Sequence, residues 1–223
     1  MDTAMILAAG KGERMRPLTE HLPKPLLEVR GKPLIVHHIE RLAAAGFKRI
    51  VINIAYLGYM IPEALGDGSK WGVELLYSDE QHEEPLGVIG GIVKALRMLG
   101  DEPFLIISGD VWTDYPFDTS FELPDSLGHL ILVPNPGHHP EGDFAVEEGR
   151  ALCDEDEDNY TFSGIGYYAP KFFWGLTYGN KPLKITYCTK MAGNLVSAEL
   201  YEGEWRDIGT PERLAALNGA EAE

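Results

Sequence analysis

The amino-acid sequence predicts an α/β protein: a mixed, mainly parallel sheet flanked by helices. Two observations carry this. Up to about residue 115, short unbroken apolar runs alternate with helical segments closed by glycine. Beyond that point, β-rich runs follow one another with only turns between them. With 223 residues the chain is long enough for one large domain, or a domain with a small lobe, around a sizeable core.

The elements follow in order. Thr3–Ala9 is continuously apolar, as a strand buried on both faces should be. Pro33–Ala45 is amphipathic, with proline suited to a first helical turn and Gly46 to the position after the end. Arg49–Ile54 is the next apolar run, and Tyr56–Leu65 is helical, closed by Gly66. Val73–Tyr77 predicts a strand, Gly90–Leu99 a helix closed by Gly100, and Phe104–Ser108 a strand running into "SGD". In the second half, His129–Pro134, Asp143–Glu147, Thr161–Tyr168 and Ala198–Trp205 predict strands, and Pro211–Leu217 a last helix. There is no internal repeat, and no hexapeptide periodicity that would mark a β-helix. Residues 1–223 are expected to form a single domain of two halves, one to about 115 and one from about 116.

The charge balance narrows the partners. Thirty-five acids against 19 bases give a net charge of -16, which argues against a nucleic-acid or anionic-membrane surface. An anionic ligand needs a local basic site. Cys153 and Cys188, with no CxxC, are expected to be separate reduced thiols. The apolar run at Ala4–Ala9 is too short for a leader or a membrane span, which predicts a cytoplasmic protein. The acidic run "DEDED" at 154–158 is read as a solvated loop, since adjacent side chains on one loop diverge.

The local basic site is the stretch "LAAGKGERMRPLTEHLPKPLL", residues 7 to 27. It fails as a Walker loop, because Met15 stands where GxxxxGK[ST] needs glycine, and it matches only part of GxGxxG. Taken whole, it still grips phosphate. Gly10 and Gly12 let backbone N–H groups approach anionic oxygens. Arg14 offers a bidentate fork. Lys24 is a point charge held between Pro23 and Pro25. The loop follows the first strand, at the carboxyl edge where α/β sheets bind ligands.

The stretch "LAAGKGERMRPLT", with "PKPLLEVRGKPLI" after it, resembles the signature LAAGxGTRLxPLT…PKPxxPVxxKPxI of sugar-1-phosphate nucleotidylyltransferases. "EPLGVIGGI" (84–92), "SGD" (108–110) and "WRDIGTPE" (205–212) agree with it in order. The resemblance implies a Rossmann-like, glycosyltransferase-A-like core with a small sugar-binding lobe. It implies that Arg14 and Lys24 are catalytic, holding the phosphates, and that Asp110 and Asp207 bind Mg2+. It places the nucleoside against Leu7, Ala8, Ala9, Gly10, Lys11 and Gly12, with Arg14, Glu80 (or Gln81), Gly87 and Asp110 completing that side. It implies attack by a sugar-1-phosphate oxygen on the α-phosphorus of a nucleoside triphosphate, releasing pyrophosphate. The nucleophile is already anionic, so positioning and charge neutralisation suffice. Asp114 is read as structural.

Base and sugar are less sharply marked. Val88 stands where the family often has Thr, and Ile89 where it often has a small residue, so Ile89 is expected to crowd the base pocket and favour a pyrimidine. "NPGHHPEGDF" (135–144) and "TFSGIGYY" (161–168) resemble the branch that uses N-acetylmuramate 1-phosphate with UTP in peptidoglycan recycling. There Gly142, Asp143 and Gly164, with Lys24, would hold the sugar phosphate, and His138 and His139 shape the loop. The alternatives are a mannose-1-phosphate guanylyltransferase, a cytidylyltransferase for a non-sugar phosphate, and a nucleotide-sensing subunit without turnover.

Overall fold

A computed structural model of the chain describes residues 1–153, 159–177, 179 and 182–219. The acidic run at 154–158 lies outside the described residues. The strands are β1 (Thr3–Leu7), β2 (Glu28–Val29), β3 (Lys32–Pro33), β4 (Arg49–Ile54), β5 (Glu74–Asp79), β6 (Phe104–Ser108), β7 (Val111–Thr113), β8 (Gly128–Val133), β9 (Ala145–Glu147), β10 (Arg150–Leu152), β11 (Thr161–Tyr168), β12 (Val196–Leu200) and β13 (Trp205–Asp207). The helices are α1 (Leu34–Ala44), α2 (Met60–Leu65), α3 (Gly87–Leu99), α4 (Leu183–Ala192) and α5 (Pro211–Gly219). None is long and apolar enough to cross a membrane.

One nine-stranded sheet runs β5-β4-β1-β6-β11-β8-β12-β10-β9. The first four strands are mutually parallel. Strand β11 is antiparallel to both β6 and β8, and β12 is parallel to β8. The alternation of side chains explains the layers. Ala4 and Ile6 of β1, with Ile50, Ile52 and Ile54 of β4, pack on α1 and α2 through Ile35, Ile39, Leu42 and Ile61. Met5 and Val51 face the other side, where α3 and α4 supply Ile89, Ile92, Ala95, Tyr187 and Met191. A third cluster joins Met15, Leu27, Val29 and Leu34 to Ile208, Leu214 and Leu217. It pins the glycine-rich stretch to α5, at the other end of the sequence.

The second half extends the main sheet, and the small ribbon β7–β13 stands off it. Three readings are corrected. Ala198–Trp205 is not one strand: β12 and β13 belong to different sheets, and Tyr201–Glu204 makes the turn between them. Helix α4 has no counterpart in the sequence reading. Its β-branched Ile185, Thr186 and Thr189 argue against helix, and Ile185 is 64% exposed, so no apolar stripe is visible. Packing of Tyr187 and Met191 into the core fixes it instead. Cys153 and Cys188 are not separate thiols but are joined in a disulfide, with Cα atoms 5.3 Å apart. The end of β10 and α4, 35 residues on, are neighbours in space.

Candidate active site

Strands β1, β4, β5 and β6 all end at the same sheet edge, and a cleft of about 880 Å³ opens there. Residues 7–15 form one wall, with Lys24, Glu80, Gly87, Val88 and Asp110 among the others. A second cleft of about 370 Å³ lies beside it, lined by residues from 136–139, 161–164 and β13. Arg14, Ser108 and Asp110 line both. The two clefts thus share a seam made of one cation, one carboxylate and one hydroxyl.

The glycine-rich loop is built locally. Gly12 has φ 63°, a left-handed conformation that other residues resist, and a Cβ there would lie 3.0 Å from Thr19 Cγ2. The Met15 N–H and the Thr19 hydroxyl both donate to the Gly12 carbonyl, at 2.9 and 2.7 Å. Met15 is fully buried, so Arg14 beside it is turned outward. Lys24 is only 9% exposed, and its Nζ lies 2.7 Å from Asp110 Oδ2.

Asp110 and Asp207 are brought together by the ribbon. Asp207 pairs with Val111 in the β13–β7 register, and the Ile208 N–H donates to the Asp110 carbonyl at 2.7 Å. Arg213 on α5 donates to Asp207, and His138 Nε2 lies 2.9 Å from its other oxygen. Gly209 makes the crowding possible: a Cβ there would meet Asp207 Oδ2 at 2.8 Å, Arg213 Nη1 at 2.9 Å and Arg14 Nη2 at 3.4 Å. Arg213 pairs with the Asp207 carboxylate, and the Arg14 guanidinium lies on the other side of the space that a Gly209 side chain would take. Among the described residues no group of three or more His, Cys, Asp or Glu side chains is placed to hold a metal.

The nucleoside side holds a buried polar chain. Asn53, 3% exposed at the end of β4, accepts the Ala8 N–H at 2.8 Å and donates to Glu80 Oε1 at 2.9 Å. Burial raises the Glu80 carboxyl above its ordinary range, and the Asn53 hydrogen bond opposes this.

The other expected residues fall as follows. Leu7 to Gly12, Gln81 and Gly87 line the larger cleft. Gly164 lines the smaller one at φ +78°, and a Cβ there would lie 2.5 Å from Ser108 Oγ. Gly142 and Asp143 sit behind its wall. The Asp143 carboxylate accepts the Phe162 N–H at 2.8 Å and lies 3.3 Å from His139 Nε2. Asp114 takes a hydrogen bond from Tyr201. Ile89 is a correction: it is fully buried in the core under α3, while Val88 lines the cleft. The helix begins at Gly87, so adjacent residues point about 100° apart. Asn53 and Arg213 were missed. Asn53 left one signal, a lone amide inside the apolar run "RIVINI".

Residues 3–146 match the Nucleotidyl transferase family. The chain is 48% identical to the N-acetylmuramate alpha-1-phosphate uridylyltransferase of Neisseria meningitidis, covering 97% of this chain and 98% of that protein. It is 45% identical to a mannose-1-phosphate guanyltransferase of Yarrowia lipolytica over 93% of this chain, but spans only 61% of that longer protein. Among solved structures, a Bacillus anthracis chain described as a glucose-1-phosphate thymidylyltransferase superposes with a TM-score of 0.84 at 21% identity, covering 98% of this chain and 94% of that one. At that identity the likeness shows the fold.

Proposed function

Because the chain belongs to the sugar-1-phosphate nucleotidyltransferase family, we propose that it transfers a uridylyl group from UTP to N-acetylmuramate 1-phosphate, releasing pyrophosphate. The observation that carries this is the seam. Arg14 and Asp110 line both clefts, and buried Lys24 reaches Asp110. Two anionic substrates entering from the two sides meet at those charges.

The residues divide the work. N–H groups of the 10–12 turn, Lys11 and Arg14 hold the β- and γ-phosphates. Lys24, on its proline-stiffened turn, sits at the α-phosphate and counters the charge that shifts as the sugar-phosphate oxygen attacks. No proton must be removed, so no general base is required. Leu7, Ala8, Ala9 and Gly87 line the nucleoside pocket, with Glu80 at the base edge. Gly164 lets β11 close onto Ser108 and shapes the sugar side, and Gly142 and Asp143 brace the loop above it.

Asp110 and Asp207 fit a divalent cation. Both are hard oxygen donors on hydrogen-bonded strands, and a pair of carboxylates suits Mg2+, which keeps waters and substrate phosphates as its other ligands. When bound, the ion supplies charge neutralisation at the α-phosphate. In this structure each carboxylate also carries a cation of the chain, Lys24 on Asp110 and Arg213 on Asp207.

We assign residues 1–115 to nucleotide binding and 116–223 to the sugar, and place the enzyme in the cytoplasm, where UTP and a recycled cell-wall sugar meet. The Yarrowia relative gives one specific ground for a second reading, GTP with mannose 1-phosphate. The test is pyrophosphate release with UTP, GTP or CTP, each with N-acetylmuramate 1-phosphate or mannose 1-phosphate. Release dependent on UTP and the muramate phosphate together is the expected result.

A further inference from the structure

The smaller cleft has a charge balance unlike that of the chain as a whole. The chain carries a net charge of -16, yet among the described residues the only carboxylates lining this cleft are Asp110 and Asp207, against Arg14, Arg213, His138 and His139. Three of those four are committed near the seam. Arg14 lines both clefts, and Arg213 and His138 each face an oxygen of Asp207. His139 is the exception. Its acidic neighbours, Asp143 and Glu141, do not line the cleft.

The loop that carries His139 is pinned. Asn135 Nδ2 donates to the Pro140 carbonyl at 3.0 Å and to the Asn159 carbonyl at 2.8 Å, and the Thr161 hydroxyl donates to Asn135 Oδ1 at 2.8 Å. The His139 N–H donates to the Pro136 carbonyl at 2.9 Å. Gly142, at φ +64°, lets the loop close on residue 159: a Cβ there would lie 2.8 Å from the Asn159 carbonyl oxygen. The ring is braced as well. Asp143 Oδ2 takes the Phe162 N–H at 2.8 Å, and Oδ1 lies 3.3 Å from His139 Nε2. The other ring nitrogen, Nδ1, lies 3.9 Å from Glu141, whose side chain is 80% exposed and so screened by water. One side of the imidazole is held from behind the wall. The other is open to an acid that enters the cleft.

We propose that His139 reads a carboxylate on the sugar substrate, the acid of the lactyl ether at C3 of N-acetylmuramate 1-phosphate, with Asp143 as the positioning residue. This rests on the N-acetylmuramate reading above. That substrate has two anionic ends. Its phosphate belongs at the seam, with Arg14 and Lys24. The lactyl acid sits on a different ring carbon and needs a donor of its own. His138 marks the seam side of the loop through Asp207, and His139 is the next residue away from it. With Nε2–H given to Asp143, Nδ1–H donates to the incoming carboxylate in place of Glu141. A proton on both nitrogens is then held between two acids, one from the chain and one from the substrate. A sugar phosphate without the lactyl acid leaves that donor unused, so the subsite discriminates by charge.

N-acetylglucosamine 1-phosphate is the same sugar phosphate without the lactyl group. Calorimetric Kd values for both, on the whole enzyme with Mg2+ and α,β-methylene-UTP, which cannot be cleaved at that bond, test the proposal. Wild type should hold the muramate phosphate at least about tenfold more tightly, roughly the worth of one charge-assisted hydrogen bond. His139→Ala should lose that margin and leave the Kd for N-acetylglucosamine 1-phosphate within about twofold of wild type. His139→Lys, which restores a cation, should recover part of the margin. Asp143→Asn should lose part of it, again on the muramate phosphate alone. Thermal melts report whether each variant is folded. A folded His139→Ala that keeps the wild-type Kd for the muramate phosphate, or that weakens both sugars alike, overturns the carboxylate reading and leaves the N-acetylmuramate reading standing. A wild type that prefers mannose 1-phosphate to the muramate phosphate overturns both.

Discussion

Lys24 Nζ lies 2.7 Å from Asp110 Oδ2, although 86 residues separate them in sequence. The contact joins the proline-stiffened end of the basic stretch to the strand end after β6. In the proposed reaction both partners face the same phosphorus. Lys24→Ala removes the charge that counts most as the phosphoryl charge moves, so kcat should fall about 10²-fold or more while UTP affinity changes less. Steady-state kinetics with a separate UTP titration check this. A Lys24→Ala enzyme with intact kcat at saturation would contradict the assigned role.

Gly209 is where Arg14, Asp207 and Arg213 converge. A methyl group there must push out the carboxylate or a guanidinium. Gly209→Ala should cost about tenfold or more in kcat/KM, since small displacements at a phosphoryl-transfer site are expensive. Asp207→Asn should cost more, with circular dichroism unchanged. The paired measurement is apparent Mn2+ affinity by electron paramagnetic resonance, which should weaken in both variants.

His38 on α1 is 3% exposed, and its Nε2 has no hydrogen-bond partner. Burial, then the nearby Arg41 and His37, lowers its pKa from 6.5 to about 4. The unfolded chain therefore binds the proton first. Stability from neutral His38 is complete above about pH 6.5 and is lost as pH falls toward 4. A shift of this size corresponds to about 3 kcal/mol. Urea midpoints at pH 7 and pH 4.5 should fall less steeply for His38→Gln than for the wild type.

The Cys153–Cys188 disulfide closes a loop across 35 residues. Reduction should lower stability by about 4 kcal/mol through the entropy of the unfolded chain. It should leave kcat unaffected, because neither cysteine lines either of the two clefts described above. Melts and assays with and without dithiothreitol separate the two effects.

Much of the fold was legible in the sequence for a local reason. Buried parallel strands read as unbroken apolar runs, and glycines mark the helix ends, so β1, β4, β6 and α1 fall close to expectation. Helix α4 was not legible because its stability comes from Tyr187 and Met191 entering the core, not from its own periodicity. The basic stretch was legible because its glycines, prolines and cations lie within one loop. Asn53 and Arg213 were not, because their partners Ala8, Glu80 and Asp207 are supplied mainly by other segments. Ile89 shows the limit of position without phase: one step along α3 moves a side chain from the cleft to the core.

The account's central claim is tested most directly by competition. Equal UTP and GTP, with equal N-acetylmuramate 1-phosphate and mannose 1-phosphate, are incubated with the enzyme and the nucleotide sugars identified by mass. The account predicts UDP-N-acetylmuramate as the main product, with UTP favoured at least about tenfold in kcat/KM, roughly 1.4 kcal/mol of differential transition-state binding. GDP-mannose as the main product would contradict it.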